Sequence, residues 1–393
     1  MKNPRYYDLN ALEPNTINQY LSSLVDSTLK VLINSHCVKF DQEEQILYPQ
    51  SMGKIASFYY LSHHTMLMFE ESLQEFLTLE QCLRILCNSY EYNELPVRHD
   101  EELLNEELSK MCRYQVDNYS YGSPHTKAFL LLQAHFSRLP LPCVDYITDL
   151  KSVLDQSIRI VQAMIDTVAE HGWLASALMI MNLLQMLIQA RWIDEFAITT
   201  LPHVNSEHIQ LFSALSSCLP KLCFIMRNKY STLVEVLGKD FQEEQIFQIH
   251  QVMKEMPMLH VELSIEMHDE EQRSQMFISL KTDNSDHINI CKDQDYILNI
   301  TMRRKNKSNN LKAHCPLFQK GKDEGWFLVL GNTSNLELLA LKRASGINEQ
   351  RKYYQLQFTA PSNLGQTTLV FYLISDCYIG LDQEYNIKLN IIS

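Results

Sequence analysis

The sequence predicts an α+β, multi-domain chain: a helical bundle, then a small helical module, then an antiparallel β-sandwich. Three observations carry this. The 393 residues exceed the roughly 100 to 200 expected of one domain. Glycine is scarce in front, where Gly53, Gly122 and Gly172 are the only ones before Gly238, and seven of the ten lie from Gly238 onward. At Leu259 the apolar period changes to two: Leu259, Val261, Leu263, Ile265 and Met267 alternate with His260, Glu262, Ser264 and Glu266, as in a half-buried strand.

Helical spacing of Leu, Met and Ile predicts helices over 16–35, 53–77, 79–91, 100–115, 123–137, 144–171 and 173–191. Short connections such as Leu139-Pro140-Leu141-Pro142 favour antiparallel neighbours in a bundle. After Leu201-Pro202 come shorter helices, 205–217, 219–227, 230–238 and 243–256, which read as a separate helix-loop-helix module. Met256-Pro257 ends it, because proline stops the helix and biases the residue before it toward an extended conformation. Strands are predicted over 259–267, 275–280, 296–302, 325–331, 336–343, 353–359, 367–375 and 385–391. With turn signals between them and no helical pattern, they suggest a two-sheet antiparallel sandwich of the immunoglobulin/fibronectin-III-like kind.

Apolar residues at 46% and charged residues at 21% are globular values. A net charge of -13 argues against broad phosphate-backbone affinity, so any nucleic-acid contact must be local. The ten cysteines form no C-x-x-C pair and no zinc spacing, and read as reduced structural thiols. The first twelve residues lack the layout of a signal peptide, and no run of 18 apolar residues occurs. The chain is therefore expected inside the cell, in nucleus or cytoplasm, off the membrane, and with neither cofactor nor metal.

No catalytic residue is assigned. A nucleotide-hydrolysing motor needs a G-x-x-x-x-G-K-[ST] loop to cradle phosphates, and none is present; Gly321-Lys322 and Gly238-Lys239 read as turns. Asp269-Glu270-Glu271 and Asp323-Glu324 read as solvated turn charges rather than magnesium ligands. There is no G-x-S-x-G and no H-E-x-x-H, and neighbours such as His63 and His64 diverge on a helix, one packed and one exposed. The basic run Arg303-Arg304-Lys305-Asn306-Lys307 reads as a charged hairpin loop, with partner or RNA contact as the alternative. Trp326, Phe327, Tyr353, Tyr354, Phe358, Phe371, Tyr372 and Tyr378 are expected mostly in the sandwich core, with one or two at the surface.

The stretch 146–192 is the most informative, since two long helices meet there at His171-Gly172-Trp173. In the first, Ile147, Leu150, Leu154, Ile158, Val161, Ile165 and Val168 make a core stripe, widened by Val153, Ile160 and Met164. Ser152, Asp155, Gln156, Arg159, Ala163 and Asp166 form the other face. Read from spacing alone, Asp155 and Arg159 are an i, i+4 ion pair worth about 0.2 to 0.5 kcal/mol.

Four segments carry a family resemblance: Gly53-Lys-Ile-Ala-Ser-Phe-Tyr-Tyr-Leu61, Leu95-Pro-Val-Arg-His-Asp-Glu101, Leu131-Leu-Gln-Ala-His-Phe-Ser-Arg138 and Ser375-Asp-Cys-Tyr-Ile-Gly-Leu-Asp-Gln-Glu-Tyr385. Together with the element order, they resemble the Brl domain, the Sec-sixty-three homology unit of Ski-two-like RNA and DNA helicases. The likeness spans essentially the whole chain. Residues 1–45, including Asn3-Pro-Arg-Tyr-Tyr7, resemble the end of the winged-helix domain that precedes this unit.

The resemblance implies a helical bundle over 46–200 whose helix 144–171 is a ratchet helix, a helix-loop-helix module over 201–257 and an immunoglobulin-like sandwich over 258–393. It puts Gln156, Arg159 and Gln162 at strand-facing positions. The expected function is a non-catalytic accessory module of an ATP-dependent helicase, guiding a nucleic-acid strand and docking partners. Those partners are helicase motor domains or other subunits of the helicase complex, with single-stranded RNA or DNA bound weakly by this chain alone. A stand-alone protein-interaction scaffold without nucleic-acid binding is the alternative. The translocon member that shares the unit is disfavoured, because it would need membrane spans.

Overall fold

The computed structural model describes residues 4–7, 13–213, 215–216, 218–267, 278–280, 287–307 and 311–393. The chain opens with α1 (Pro14–Asn34) and a hairpin of β1 (Val38–Asp41) and β2 (Ile46–Pro49). The hairpin is too short for its period to register in the sequence. The predicted helix over 53–77 is two, α2 (Ser51–Tyr59) and α3 (His63–Ser72). Tyr60 turns left-handed at φ 53, and the Ser62 hydroxyl accepts from the His64 amide at 3.2 Å, so one helix stops and the next is capped within three residues.

A capping box between Thr78 and Gln81 starts α4 (Leu79–Cys87). The bundle continues with α5 (Glu101–Ser109), α6 (Pro124–Ser137), α7 (Val144–Glu170) and α8 (Leu174–Gln189). The small module consists of α9 (Ile209–Ser213), α10 (Leu219–Met226), α11 (Tyr230–Leu237) and α12 (Glu243–Glu255). The β half comprises β3 (Leu259–Met267), β4 (Ile278–Leu280), β5 (Ile288–Cys291), β6 (Asp295–Arg304), β7 (Gly325–Asn332), β8 (Glu337–Ser345), β9 (Lys352–Thr359), β10 (Gly365–Ser375) and β11 (Gln383–Ile392). Part of the strand predicted over 275–280 and the acidic triplet at 269–271 lie outside the described residues.

The strands form a five-stranded sheet, β5-β11-β10-β7-β8, and a four-stranded sheet, β4-β3-β6-β9. All pairs are antiparallel except β11 with β5. The antiparallel expectation therefore fails at one edge, where the four-residue β5, too short to be read from sequence, runs parallel to β11.

Strand β7 explains how the halves join. Trp326, Leu328 and Leu330 point into the core between the sheets, while the alternate residues Phe327 and Val329 join the bundle core with Leu338 and Ile374. The five-stranded sheet is thus covered on both faces, which is why 326–332 reads as a continuous buried run. The backbone pairs there too: the Leu174 amide donates to the Leu336 carbonyl at 3.2 Å, and the Leu338 amide to the Gly172 carbonyl at 2.8 Å. Apolar residues of the small module, including Phe212, Leu222, Leu233 and Ile249, share the cluster of the sheets.

Two buried polar knots hold charges inside the molecule, and the first replaces charges that read as solvated. Arg304 donates to Glu324 at 2.6 Å and to the carbonyl of Glu255 at the end of α12, while Asn306 donates to the carbonyls of Lys254 and Met256 at 2.9 Å each. The basic run is therefore no solvated hairpin: strand alternation turns Arg304 and Asn306 inward, where they tie α12 to the sheets, and leaves Arg303, Lys305 and Lys307 exposed. Glu324 is likewise buried rather than a turn charge; burial pushes its carboxyl up to about 7 against the pull of Arg304.

The second knot lies between α5, α6 and α7. Lys127 is fully buried, and its Nζ donates to Glu101 and Asp149, each at 2.6 Å, and to the Pro96 carbonyl at 2.8 Å. Arg98 reaches both carboxylates from the rim, at 2.8 and 2.7 Å. All three donors of the ammonium are used, which is what permits a lysine inside a bundle.

Candidate nucleic-acid interface

Helix α7 packs against α8, α2, α6 and β8. Leu154, Val161, Ile165 and Val168 of the predicted stripe are buried, whereas Ile147 is exposed and Leu150 and Ile158 are half-buried. Ala163, read onto the polar face, is fully buried. The C-terminal half of the helix is enclosed on most sides, so only a small residue fits where a neighbouring element approaches. Gly172 ends it at φ +74, a left-handed turn that glycine adopts without strain.

The expected Asp155–Arg159 pair is not formed. Asp155 takes Lys320, from the loop before β7, at 2.6 Å. Arg159 turns instead toward α2, donating to the carbonyls of Tyr59 at 3.1 Å and Tyr60 at 2.5 Å, and to the Gln156 side-chain oxygen. The last carbonyls of a helix have no partner within it and carry its negative dipole end, so a guanidinium there satisfies both a geometric and an electrostatic need. Tertiary context therefore outcompetes a contact worth a few tenths of a kcal/mol (about 0.2–0.5) on an isolated helix.

Gln156 and Arg159 are brought together; Gln162 is held apart from them. Its side-chain oxygen accepts from Arg343 Nε of β8 at 2.8 Å. Arg343 also pairs with Asp166 at 2.6 Å and lies over the Phe327 ring, 5.4 Å from its centroid. Asp166 accepts in turn from the Tyr59 hydroxyl at 2.7 Å. Burial, then the hydrogen bond to Asp166, raises the Tyr59 phenol well above its usual range. Sequence reasoning missed Arg343 and Tyr59 as partners of this face, since nothing local to α7 announces a guanidinium arriving from a strand 181 residues away.

The sequence profile of the Sec63 Brl domain matches residues 49–388. The chain belongs to this Brl domain family. It is 40% identical over 416 residues to activating signal cointegrator 1 complex subunit 3 of Gallus gallus, covering 99% of this chain and 19% of that protein. A DExH-box ATP-dependent RNA helicase of Arabidopsis thaliana is 40% identical over 392 residues, covering 99% of this chain and 17% of the helicase. The human U5 small nuclear ribonucleoprotein 200 kDa helicase is 29% identical over 390 residues, with 99% and 17% covered. This Brl domain thus spans about a fifth of the length of these relatives. The segments Asp323-Glu-Gly-Trp-Phe-Leu-Val-Leu-Gly331 and Ala340-Leu-Lys-Arg343 lead one to expect a greater likeness to the cointegrator subunit than to the U5 helicase, and the identity over the chain is greater to the former.

Lys322 pairs with Asp376 at 2.5 Å. His63 is half-buried and His64 exposed, their rings 4.0 Å apart at the start of α3. Among the described residues no group of three or more His, Cys, Asp or Glu stands close enough to hold a metal, and no helix is long and apolar enough to cross a membrane. All ten cysteines are free, and burial pushes the Cys82, Cys112 and Cys223 thiols up to about 12, which makes them poor nucleophiles. Of the aromatic set, Trp326, Phe327, Phe358, Phe371 and Tyr378 are buried, and Tyr353 stands exposed at 71%.

The segment 375–385, which carried part of the resemblance, is a clamp on α8. Gln185 Nε2 donates to the Ser375 carbonyl at 2.8 Å and to the Asp382 carboxylate at 3.1 Å, and Gln189 donates to the Cys377 carbonyl at 2.6 Å.

Proposed function

We propose that this chain is a non-catalytic accessory module of a Ski-two-like, ATP-dependent helicase, acting in nucleus or cytoplasm. Helix α7 serves as the ratchet helix that guides a single strand of RNA or DNA, with Gln156, Arg159 and Gln162 as its contact residues, Gln162 set apart from the other two on Arg343. The sheets, an immunoglobulin-like sandwich over 258–393, dock the motor domains or other subunits. Residues 1–45, a helix and part of a hairpin, supply the end of a winged-helix domain; 46–200 form the bundle and 201–257 the helix-loop-helix module.

One observation supports this reading above the others. Arg159 is half-exposed, and among the described residues its side chain is met only by neutral oxygens, those of Gln156, Tyr59 and Tyr60, while Asp155 has gone to Lys320. A positive charge held in place but not neutralised is what a phosphate backbone requires. The net charge of -13 favours the other reading, a protein-interaction scaffold. Titrating single-stranded RNA and DNA against the chain at low and moderate salt separates them. Salt-sensitive binding that weakens in Arg159→Ala is expected; absence of any such binding would leave only the scaffold.

A further inference from the structure

We infer that the five-stranded sheet has an open strand position beside the start of β10, and that an extended segment of a partner protein bearing lysine or arginine pairs there. This rests on the reading of the sheets as a docking surface and adds to it the place and the chemistry of the partner.

The register defines the gap. Strand β10 pairs with β11 from Gly365 opposite Ile391 to Leu373 opposite Gln383, but with β7 only from Leu369 opposite Asn332 onward. At Thr333 the chain leaves β7 and turns toward β8, so residues 365–368 have a strand on one side alone. The far end of the same pair tells which backbone groups this leaves open. There the Asp376 amide donates to the Gly325 carbonyl at 3.0 Å, and backbone direction alternates along a strand, so even-numbered residues of β10 face β7 and odd-numbered ones face β11. Gln366 therefore aims its N–H and C=O into the gap, and neither is hydrogen-bonded among the described residues.

The gap is a slot with walls rather than an outer margin of the sheet. A cavity of about 1070 Å3 is lined by 366–368 of β10, by the turn 333–335 between β7 and β8, and by 361–364 of the loop before β10. A Cβ on Gly365 would meet nothing within 4 Å, so space is open where β10 begins. Proteins commonly blunt an exposed edge with lysine, proline or a bulge. Gly365, Gln366, Thr367 and Thr368 carry no such device, and threonine suits a strand. The outer strand β8, by contrast, is tied to the bundle through Gly172 and Leu174.

Charge names the occupant. Asp293 and Glu337 line the cavity, and among the described residues no lysine or arginine does. Asp293 accepts from the Ser362 hydroxyl at 2.6 Å and Glu337 from the Asn335 side-chain amide at 2.8 Å, and neither carboxylate has an ion-pair partner among the described residues. A strand added to an edge gains affinity from its main chain and specificity from alternate side chains. A lysine or arginine at such a position meets an acid that nothing else neutralises. The same acids, on a chain of net charge -13, disfavour a second copy as the occupant.

The test is a titration of the full chain with a short peptide of alternating threonine and lysine, with the same peptide N-methylated throughout, and with a peptide of alternating threonine and glutamate. The parent is expected to bind the lysine peptide at least about tenfold more tightly than either of the others. Gln366→Pro removes the amide that faces the slot and no bond to β11, so it should weaken the lysine peptide at least about fivefold while thermal unfolding stays as in the parent. Asp293→Asn combined with Glu337→Gln, which leaves the backbone alone, should also weaken it and lower the salt dependence. In amide exchange the bound peptide should protect Gln366 and leave Thr367, which faces β11, as it was. If the lysine peptide and its N-methylated form bind alike, charge alone holds it and the inference falls. If no peptide binds while the motor domains bind the parent and Gln366→Pro equally, the slot is refuted and the docking reading survives. If the parent binds neither peptide nor motor domains, the docking reading fails as well. A dimer of the chain that Gln366→Pro abolishes would put a second copy in the slot and refute the basic segment.

Discussion

Arg343 of β8 and Asp166 of α7 are joined by an ion pair of 2.6 Å that ties the five-stranded sheet to the helix carrying the candidate strand contacts. The pair is partly open to water, with side chains 38% and 24% exposed, so its worth lies nearer that of a surface bridge than of a buried one. Because Arg343 also holds Gln162 and covers Phe327, we predict that Arg343→Ala costs about 1 kcal/mol of stability. A double-mutant cycle with Asp166→Ala measures the coupling by thermal unfolding. Strictly additive losses would show that the two side chains do not support each other.

The Lys127 knot makes a stronger prediction. Replacing the ammonium by Lys127→Met leaves Glu101 and Asp149 facing each other with only Arg98 at the rim, and should cost about 3–5 kcal/mol. The pH dependence follows from the carboxyls. Burial pushes Glu101 and Asp149 up, and the hydrogen bonds of Lys127 and Arg98 more than reverse this, so both sit below their ordinary values. A lowered folded-state value gives stability that is fully present above the unfolded value, about 4, and is lost as the pH falls through the lower one. Acid unfolding of the parent chain should therefore steepen below about pH 4, and Lys127→Met should flatten that limb. An unchanged acid limb in the variant would dissociate the knot from acid stability.

How far the sequence reveals this molecule depends on whether a feature is local. Strand β3 is legible residue for residue because Leu259 to Met267 alternates, and α7 because its apolar positions recur along seven turns. The break at Tyr60 is not, since it depends on a serine cap that also suits a helix interior. The fate of Arg304, Asn306 and Glu324 is invisible for the opposite reason: their partners lie at the end of α12, on β6 and just before β7, and a charged run looks the same whether it meets solvent or a buried carboxylate. At the candidate site, spacing supplied a polar face and the family resemblance supplied Gln156, Arg159 and Gln162, but spacing paired Arg159 with the wrong neighbour. A guanidinium responds to the carbonyls of a helix end that only the fold brings near.

Arg159 itself allows its two duties to be separated. Arg159→Lys keeps the charge but cannot reach two carbonyls and the Gln156 oxygen at once, because an ammonium lacks the planar fork of a guanidinium. We expect the lysine variant to keep the salt dependence of strand binding while the end of α2 exchanges its amide hydrogens faster. The alanine variant should lose both, its salt slope falling by about one. A lysine variant with the slope of the alanine variant would mean that geometry, not charge, holds the strand.

The contact between the halves is tight enough to be tested by a single methyl group. A Cβ placed on Gly331 of β7 would lie 2.5 and 2.8 Å from the two terminal carbons of Leu174, the first residue of α8. Leu174 is 1% exposed and its amide is bound to the Leu336 carbonyl, so its side chain has little room to yield. Gly331→Ala should therefore destabilise by about 1–3 kcal/mol, the usual cost of overpacking a core. Leu174→Ala alone leaves a cavity and should cost about 2–5 kcal/mol. In the double variant the added methyl occupies part of that cavity, so the two losses should sum to less than their separate values, by at least about 0.5 kcal/mol. Denaturant unfolding of the four chains measures this. Full additivity would mean that β7 and α8 do not press on each other at this point, and that the bundle and the sheets are held mainly by the glutamine clamp at Gln185 and Gln189.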